Sequence, residues 1–123
     1  MTAATILVVD DEPAIRQFIT ELLQLEGYTV LTASDGAEAL HLLNGGRPAD
    51  TAYEAVLLDM MLPEVHGLEV LRHLADGNVS VPIVAMSASR RELDAAVEAG
   101  ADAALEKPFE IDALLDCLQR VQG

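Results

Sequence analysis

The stretch ILVVDDEP, residues 6–13, sets four apolar side chains directly ahead of three acids and a proline. A short continuous apolar run such as Ile6–Val9 reads as a strand covered on both faces, the pattern of a parallel sheet. Asp10, Asp11 and Glu12 then crowd negative charge onto the strand's tip. Two carboxylates about 4 Å apart repel by roughly 4 kcal/mol at an effective dielectric of 20. A compensating positive charge is therefore required nearby.

Outward from this stretch the chain alternates between two periodicities. Thr5–Val9 is the first strand. From Pro13 to Glu26 the apolar residues Ile15, Phe18, Ile19, Leu22 and Leu23 fall on one stripe of a helix. Asp11 or Glu12 can cap it, Pro13 suits its first turn, and Gly27 ends it. Tyr28–Ala33 reads as a second strand. Asp35 with Glu38 resembles a capping box for a helix through Leu43. NGGRPAD, residues 44–50, reads as a loop, and Ala55–Leu58 as a third strand ending in Asp59. Pro63 and Gly67 bound a loop before a helix carrying Leu68, Leu71 and Leu74. Pro82–Met86 is the fourth strand, Glu92–Ala99 a short helix closed by Gly100, and Ala103–Leu105 a weak fifth strand. The last helix follows Pro108 and carries Ile111, Leu114, Leu115, Leu118 and Val121.

Strands alternating with helices imply a doubly wound α/β fold: a five-stranded parallel sheet, covered by five helices, with right-handed crossovers. A chain of 123 residues corresponds to one domain, residues 1–123, with a sizeable core. The net charge is −14, from 21 acids against 7 lysines and arginines, and such a surface repels nucleic-acid phosphates. No apolar run is long enough to span a bilayer and no apolar leader is visible, so a cytoplasmic location is expected. Cys117, the only cysteine, rules out an internal disulfide and reads as a small core residue.

In open parallel sheets the ligand site lies outside the carboxyl ends of the strands. The residues just past the five strand ends are Asp10/Asp11, Ser34/Asp35, Asp59, Ser87 and Lys107. Taken singly each has an ordinary explanation: a helix cap, a turn residue, a solvated lysine. Taken together they bring acids, a hydroxyl and a lysine to one rim. Clustered Asp oxygens suit a hard cation, and Mg²⁺ characteristically binds one or two carboxylates along with waters and phosphate oxygens.

The stretches ILVVDDEP, VLLDMMLPEVHG, IVAMSAS and GADAALEKPF resemble, in order and across nearly the whole chain, the receiver domain of two-component response regulators. The resemblance implies that Asp59 is the phosphoacceptor and that Asp10 and Asp11 organise Mg²⁺ with Asp59, the backbone carbonyl of Met61 completing the protein's share. It implies the flavodoxin-like strand order 2-1-3-4-5, that the Ser87 hydroxyl meets the phosphoryl group, that Lys107 is the family's lysine, and that the Lys107–Pro108 bond is cis. A histidine kinase or histidine phosphotransferase would be the donor, and the signal would pass by protein contacts to an unidentified protein or output domain. Self-phosphorylation and autodephosphorylation would be the only catalysis.

Three features depart from the family pattern. Ala104 stands where an aromatic usually lies, three residues before the lysine. The segment from Ser87 to Lys107 is a couple of residues short, and RPADTAY lengthens the entry to the third strand. Without the aromatic, a switch would have to use Ala88–Val97. Of the rivals, a haloacid-type phosphatase needs a second Asp two residues beyond the nucleophile, where this chain has Met61. A flavin mononucleotide protein needs a phosphate loop after the first strand, where this chain has acids. A receiver-like binding module that works without phosphorylation remains the alternative.

Overall fold

The computed structural model describes residues 5–46, 53–77 and 80–122. In chain order the elements are β1 (Thr5–Val9), α1 (Pro13–Leu25), β2 (Thr29–Ala33), α2 (Gly36–His41), β3 (Tyr53–Asp59), α3 (Gly67–Asp76), β4 (Ile83–Ser87), α4 (Arg90–Glu98), β5 (Ala103–Glu106) and α5 (Ile111–Gln122). All strand pairs are parallel, in the order β2-β1-β3-β4-β5. The doubly wound sheet anticipated from the alternating periodicities is the observed one.

The apolar run of β1 is buried on both sides because helices cover both faces. Leu7 and Val9 point into a core shared with Ala39, Leu43, Val70, Leu71, Leu74, Leu93 and Ala96, which come from α2, α3 and α4 and the turn after α2. Ile6 and Val8 point the other way, into a core with Ile19 and Leu23 of α1 and Leu114, Cys117 and Leu118 of α5. This is the period-two alternation of a strand, with both sets apolar. Each such side chain contributes about 1.5–3 kcal/mol on burial. Cys117 is a buried core residue, as expected.

Several boundaries differ from the sequence reading. Helix α1 has Glu12 in the N-cap position, but no side chain caps it. Asp10 Oδ1 instead accepts the Glu12 amide at 2.9 Å, so the strand-end acid turns the chain into the helix. At α2, Asp35 accepts the Glu38 amide at 2.7 Å as a capping box requires, while Glu38 reaches the amide of Ser34 and not that of Asp35. The helix then runs on through a π-helical turn, Leu42–Gly46, where a loop was expected from residue 44, and Leu43 is buried at that turn. Residues 47–52, the expected long connection, lie outside the described residues. Helix α4 begins at Arg90, two residues earlier than its apolar pattern suggests, because Ser89 caps it. Phe18 and Ile111, read as core-facing, are exposed at 52% and 43%; Phe18 falls at the edge of its helical stripe, and Ile111 is the first residue of α5.

The loop between β3 and α3 is held by close backbone approach. A side chain on Gly36 would run into the carbonyl oxygen and Cβ of Val65, and one on Gly67 would lie 2.7 Å from Met60 Cα. Glu64, between them, takes a left-handed conformation with φ 64°, which disfavours any residue with a Cβ. Two substitutions should therefore move stability in opposite directions. Gly36→Ala is expected to destabilise by about 1–3 kcal/mol through overpacking. Glu64→Gly is expected to stabilise by about 1 kcal/mol by relieving the left-handed strain. Urea denaturation of the two variants beside the parent checks both signs.

Candidate functional site

The site is assembled at the carboxyl ends of β1, β3, β4 and β5. Asp10 follows β1 and is fully buried, Asp59 is the last residue of β3 and is 4% exposed, and Ser87 is the last residue of β4 and is 1% exposed. Lys107 follows β5, held by its backbone amide on the Ser87 carbonyl at 2.9 Å. The Lys107–Pro108 peptide is cis, as the resemblance implied.

Lys107 bridges the two buried acids. Its Nζ lies 3.0 Å from Asp10 Oδ2 and 3.2 Å from Asp59 Oδ2. The remaining oxygens take backbone amides: Glu12 on Asp10 Oδ1 at 2.9 Å, and Met61 on Asp59 Oδ1 at 3.0 Å. Every carboxylate oxygen of the buried pair thus has a donor, as a buried charge requires. Asp11 joins them from the solvent side. One oxygen from each of Asp10, Asp11 and Asp59 lies within 4.8 Å of the others. Three negative charges face one ammonium, so the cluster carries an unmet negative charge. Hard carboxylate oxygens, two anchored and one open to water, suit a divalent cation of the Mg²⁺ type.

Burial pushes the Asp59 carboxyl above its ordinary value. The Met61 amide and the Lys107 charge pull it down, and the neighbouring Asp10 charge adds to the rise. Burial alone would lower Lys107, but its bond to Asp10 and the charges of Asp59 and Asp10 outweigh that and leave it raised. Opposite charge and desolvation compete at both groups, and the winner differs.

Of the residues singled out from sequence, Asp10, Asp11, Asp59 and Lys107 come together directly. Ser87 stands at the adjacent strand end, with its Oγ accepting the Ser89 amide at 3.0 Å. Met61 contributes its amide to Asp59 while its side chain is 57% exposed. Ser34 and Asp35 do not join; both are engaged at the start of α2. Arg16 is the residue sequence reasoning passed over. From the first turn of α1 its Nη1 donates to the Asp10 carbonyl oxygen at 2.7 Å, bracing the acidic turn. Its only signal in sequence is an arginine one helical turn past the strand-end acids, which is weak.

Residues 6–119 match the family of response regulator receiver domains. The chain is 44% identical over 112 residues to the response regulator MprA of Mycobacterium sp. (strain KMS), covering 89% of this chain and 46% of that protein. The MprA protein of Mycobacterium bovis (strain BCG / Pasteur 1173P2) is 42% identical over the same length. The chain thus spans about half the length of the curated relatives it matches. Among solved structures, the receiver domain of Francisella response regulator 1452 superposes with a TM-score of 0.86 at 31% identity, covering 97% of this chain and 96% of that one. The receiver domain of the sensor histidine kinase PA1611 from Pseudomonas aeruginosa PAO1, solved with a magnesium ion coordinated in its active site cleft, gives 0.86 at 29% identity over 99% of both chains.

The chain belongs to the response regulator receiver domains of two-component systems. Among its described residues no helix is long and apolar enough to cross a membrane.

The raised Asp59 carboxyl has a thermodynamic consequence. A carboxyl whose folded pKa exceeds its unfolded one contributes stability that is fully present below the unfolded value, 3.8, and lost as pH rises through the folded value. Asp59→Asn stays neutral throughout and avoids that loss. In metal-free buffer it should melt higher than the parent at neutral pH, with the advantage vanishing below pH 3.8. Thermal melts across that range, with a chelator present, check the sign.

Proposed function

We propose that this chain is a phosphoacceptor receiver whose Asp59 takes a phosphoryl group from a phosphohistidine on a histidine kinase or phosphotransferase. The observation that carries the reading is the bridging ammonium of Lys107, shared by Asp10 and Asp59 beside an open third acid. In the transfer, an Asp59 oxygen attacks phosphorus as the phosphorus–nitrogen bond breaks. The imidazole nitrogen keeps the bonding pair, and an acyl phosphate remains on Asp59.

Asp10, Asp11 and Asp59, with the Met61 carbonyl, would hold Mg²⁺. Once bound, the ion supplies positive charge to offset the negative charge shared by nucleophile and phosphoryl group. The remaining work falls to the protein. The Met61 amide fixes the Asp59 carboxylate by holding its Oδ1. Lys107 moves from pairing with Asp59 to pairing with the phosphoryl oxygens, and the Ser87 hydroxyl turns from the Ser89 amide to the same group. Catalysis is limited to this self-phosphorylation and to hydrolysis of the acyl phosphate by water.

Output runs through protein contacts, to a separate protein or to an appended output domain. Direct nucleic-acid binding by this chain is not part of the reading, since its net charge of −14 repels phosphates. A receiver that exchanges phosphoryl groups with such a kinase or phosphotransferase acts in the cytoplasm.

Incubation with acetyl phosphate and Mg²⁺, followed by intact mass spectrometry, should show one added phosphoryl group, absent from Asp59→Asn. A folded protein that gains none would instead support a phosphorylation-independent binding module. Asp11→Ala should stay folded while Mg²⁺ affinity falls by tenfold or more, about 1.4 kcal/mol in binding free energy. Unchanged affinity by calorimetric titration in that variant would remove Asp11 from the metal site. Lys107→Ala should still accept the phosphoryl group but show a smaller change in backbone amide spectra than the parent on phosphorylation.

A further inference from the structure

Away from the acidic rim, a group of contacts not used above joins the starts of α3 and α4. His66 is the N-cap of α3, and its Nδ1 accepts the Leu68 amide at 3.2 Å. An imidazole nitrogen that accepts is unprotonated, so the ring proton sits on Nε2. Nε2 faces Oε2 of Glu92, in α4, at 3.5 Å. That oxygen is buried and has no hydrogen-bond partner among the described residues. At this length the contact is an electrostatic tie rather than a hydrogen bond.

The reason Glu92 faces His66 lies in its own helix. Ser89 caps α4, its Oγ accepting the Glu92 amide at 3.3 Å. SRRE, residues 89–92, has the form of a capping box, in which the glutamate side chain returns to the amide of the cap residue. Here that second half is not made. The Ser89 amide donates instead to Ser87 Oγ at 3.0 Å. Ser87 Oγ and the Glu92 carboxylate therefore compete for one donor, and the site hydroxyl holds it.

We propose that Glu92 is a two-position latch that reports the orientation of the Ser87 hydroxyl to the α3–α4 face. While Ser87 accepts the Ser89 amide, Glu92 lies against His66 and ties the two helix starts together. When Ser87 turns away, the freed amide takes the Glu92 carboxylate, the capping box closes, and His66 is released. The exchange gives a hydrogen bond to the buried oxygen that lacks one among the described residues in the first position, and it removes a tie between elements in the second. It supplies the differential contacts that a switch needs, and it uses no aromatic on β5. The turning of Ser87 toward a phosphoryl group rests on the function proposed above; the competition for the Ser89 amide does not.

The test separates the two. Ser87→Ala removes the competing oxygen without any phosphoryl group. The latch then predicts that the His66 imidazole nitrogen resonances shift and that the Ser89 amide keeps its protection from hydrogen exchange, now through Glu92. The double variant Ser87→Ala/Glu92→Ala should lose that protection by tenfold or more. Unmoved His66 resonances in Ser87→Ala, or equal Ser89 exchange in the single and double variants, would overturn the latch. In a second arm the parent is treated with acetyl phosphate and Mg²⁺ and its mass followed. A phosphoryl group gained with a matching His66 shift supports the coupling, and one gained with no shift refutes it. No phosphoryl group gained refutes the function instead, while the first arm still decides the latch.

Discussion

The whole carboxyl-end rim depends on one ammonium group shared by two buried carboxylates. Asp10 and Asp59 sit at the tips of neighbouring central strands, where little water reaches them. Left unpaired, either charge would be expensive to bury. Lys107 reaches both from β5's end, and two backbone amides take the remaining oxygens. The pairing is incomplete: among the described residues one ammonium pairs with two of the three carboxylates, and the third stands open to solvent. That imbalance makes the rim receptive to a further cation, while burial keeps the Asp59 carboxyl above its ordinary value despite its partners.

The surrounding loops are shaped by the same need to place donors. Asp10 spends one oxygen on the turn into α1, and Arg16 braces that turn from the helix. On the far side of Asp59, the loop to α3 passes so close to α2 that Gly36 leaves no room for a side chain against Val65. It ends on His66, whose ring both caps α3 and faces α4. The strand that ends in Asp59, the β3–α3 loop and the start of α4 are thus linked by named contacts.

Ala104 is the position at which the resemblance drawn from sequence implied an aromatic. It is exposed on β5, while Leu105 beside it is buried. With only a methyl group at 104, β5 has no bulky side chain to swing. The Ser87 hydroxyl instead contacts α4 through the Ser89 amide, and the short α4, capped by Ser89, lies directly downstream of it.

Much of this was written in local sequence. The apolar runs, the helical stripes and the acids at strand ends follow from periods of two and 3.6, which depend only on neighbours along the chain. The parallel sheet and the rim carrying Asp10, Asp11, Asp59, Ser87 and Lys107 follow from that alternation together with the rule that sites lie at strand ends. Some boundaries did not, such as the π turn after α2 and the early start of α4, because caps and core packing override apolar pattern at helix ends. Nor did Phe18 and Ile111, whose exposure is set by how each helix is rotated on the sheet. Lys107 bridging residues 97 and 48 positions away, Arg16 on the Asp10 carbonyl, and Glu92 facing His66 belong to tertiary structure alone. Such pairings require strands and helices distant in sequence to be set side by side within a few ångströms, and no local pattern encodes that distance.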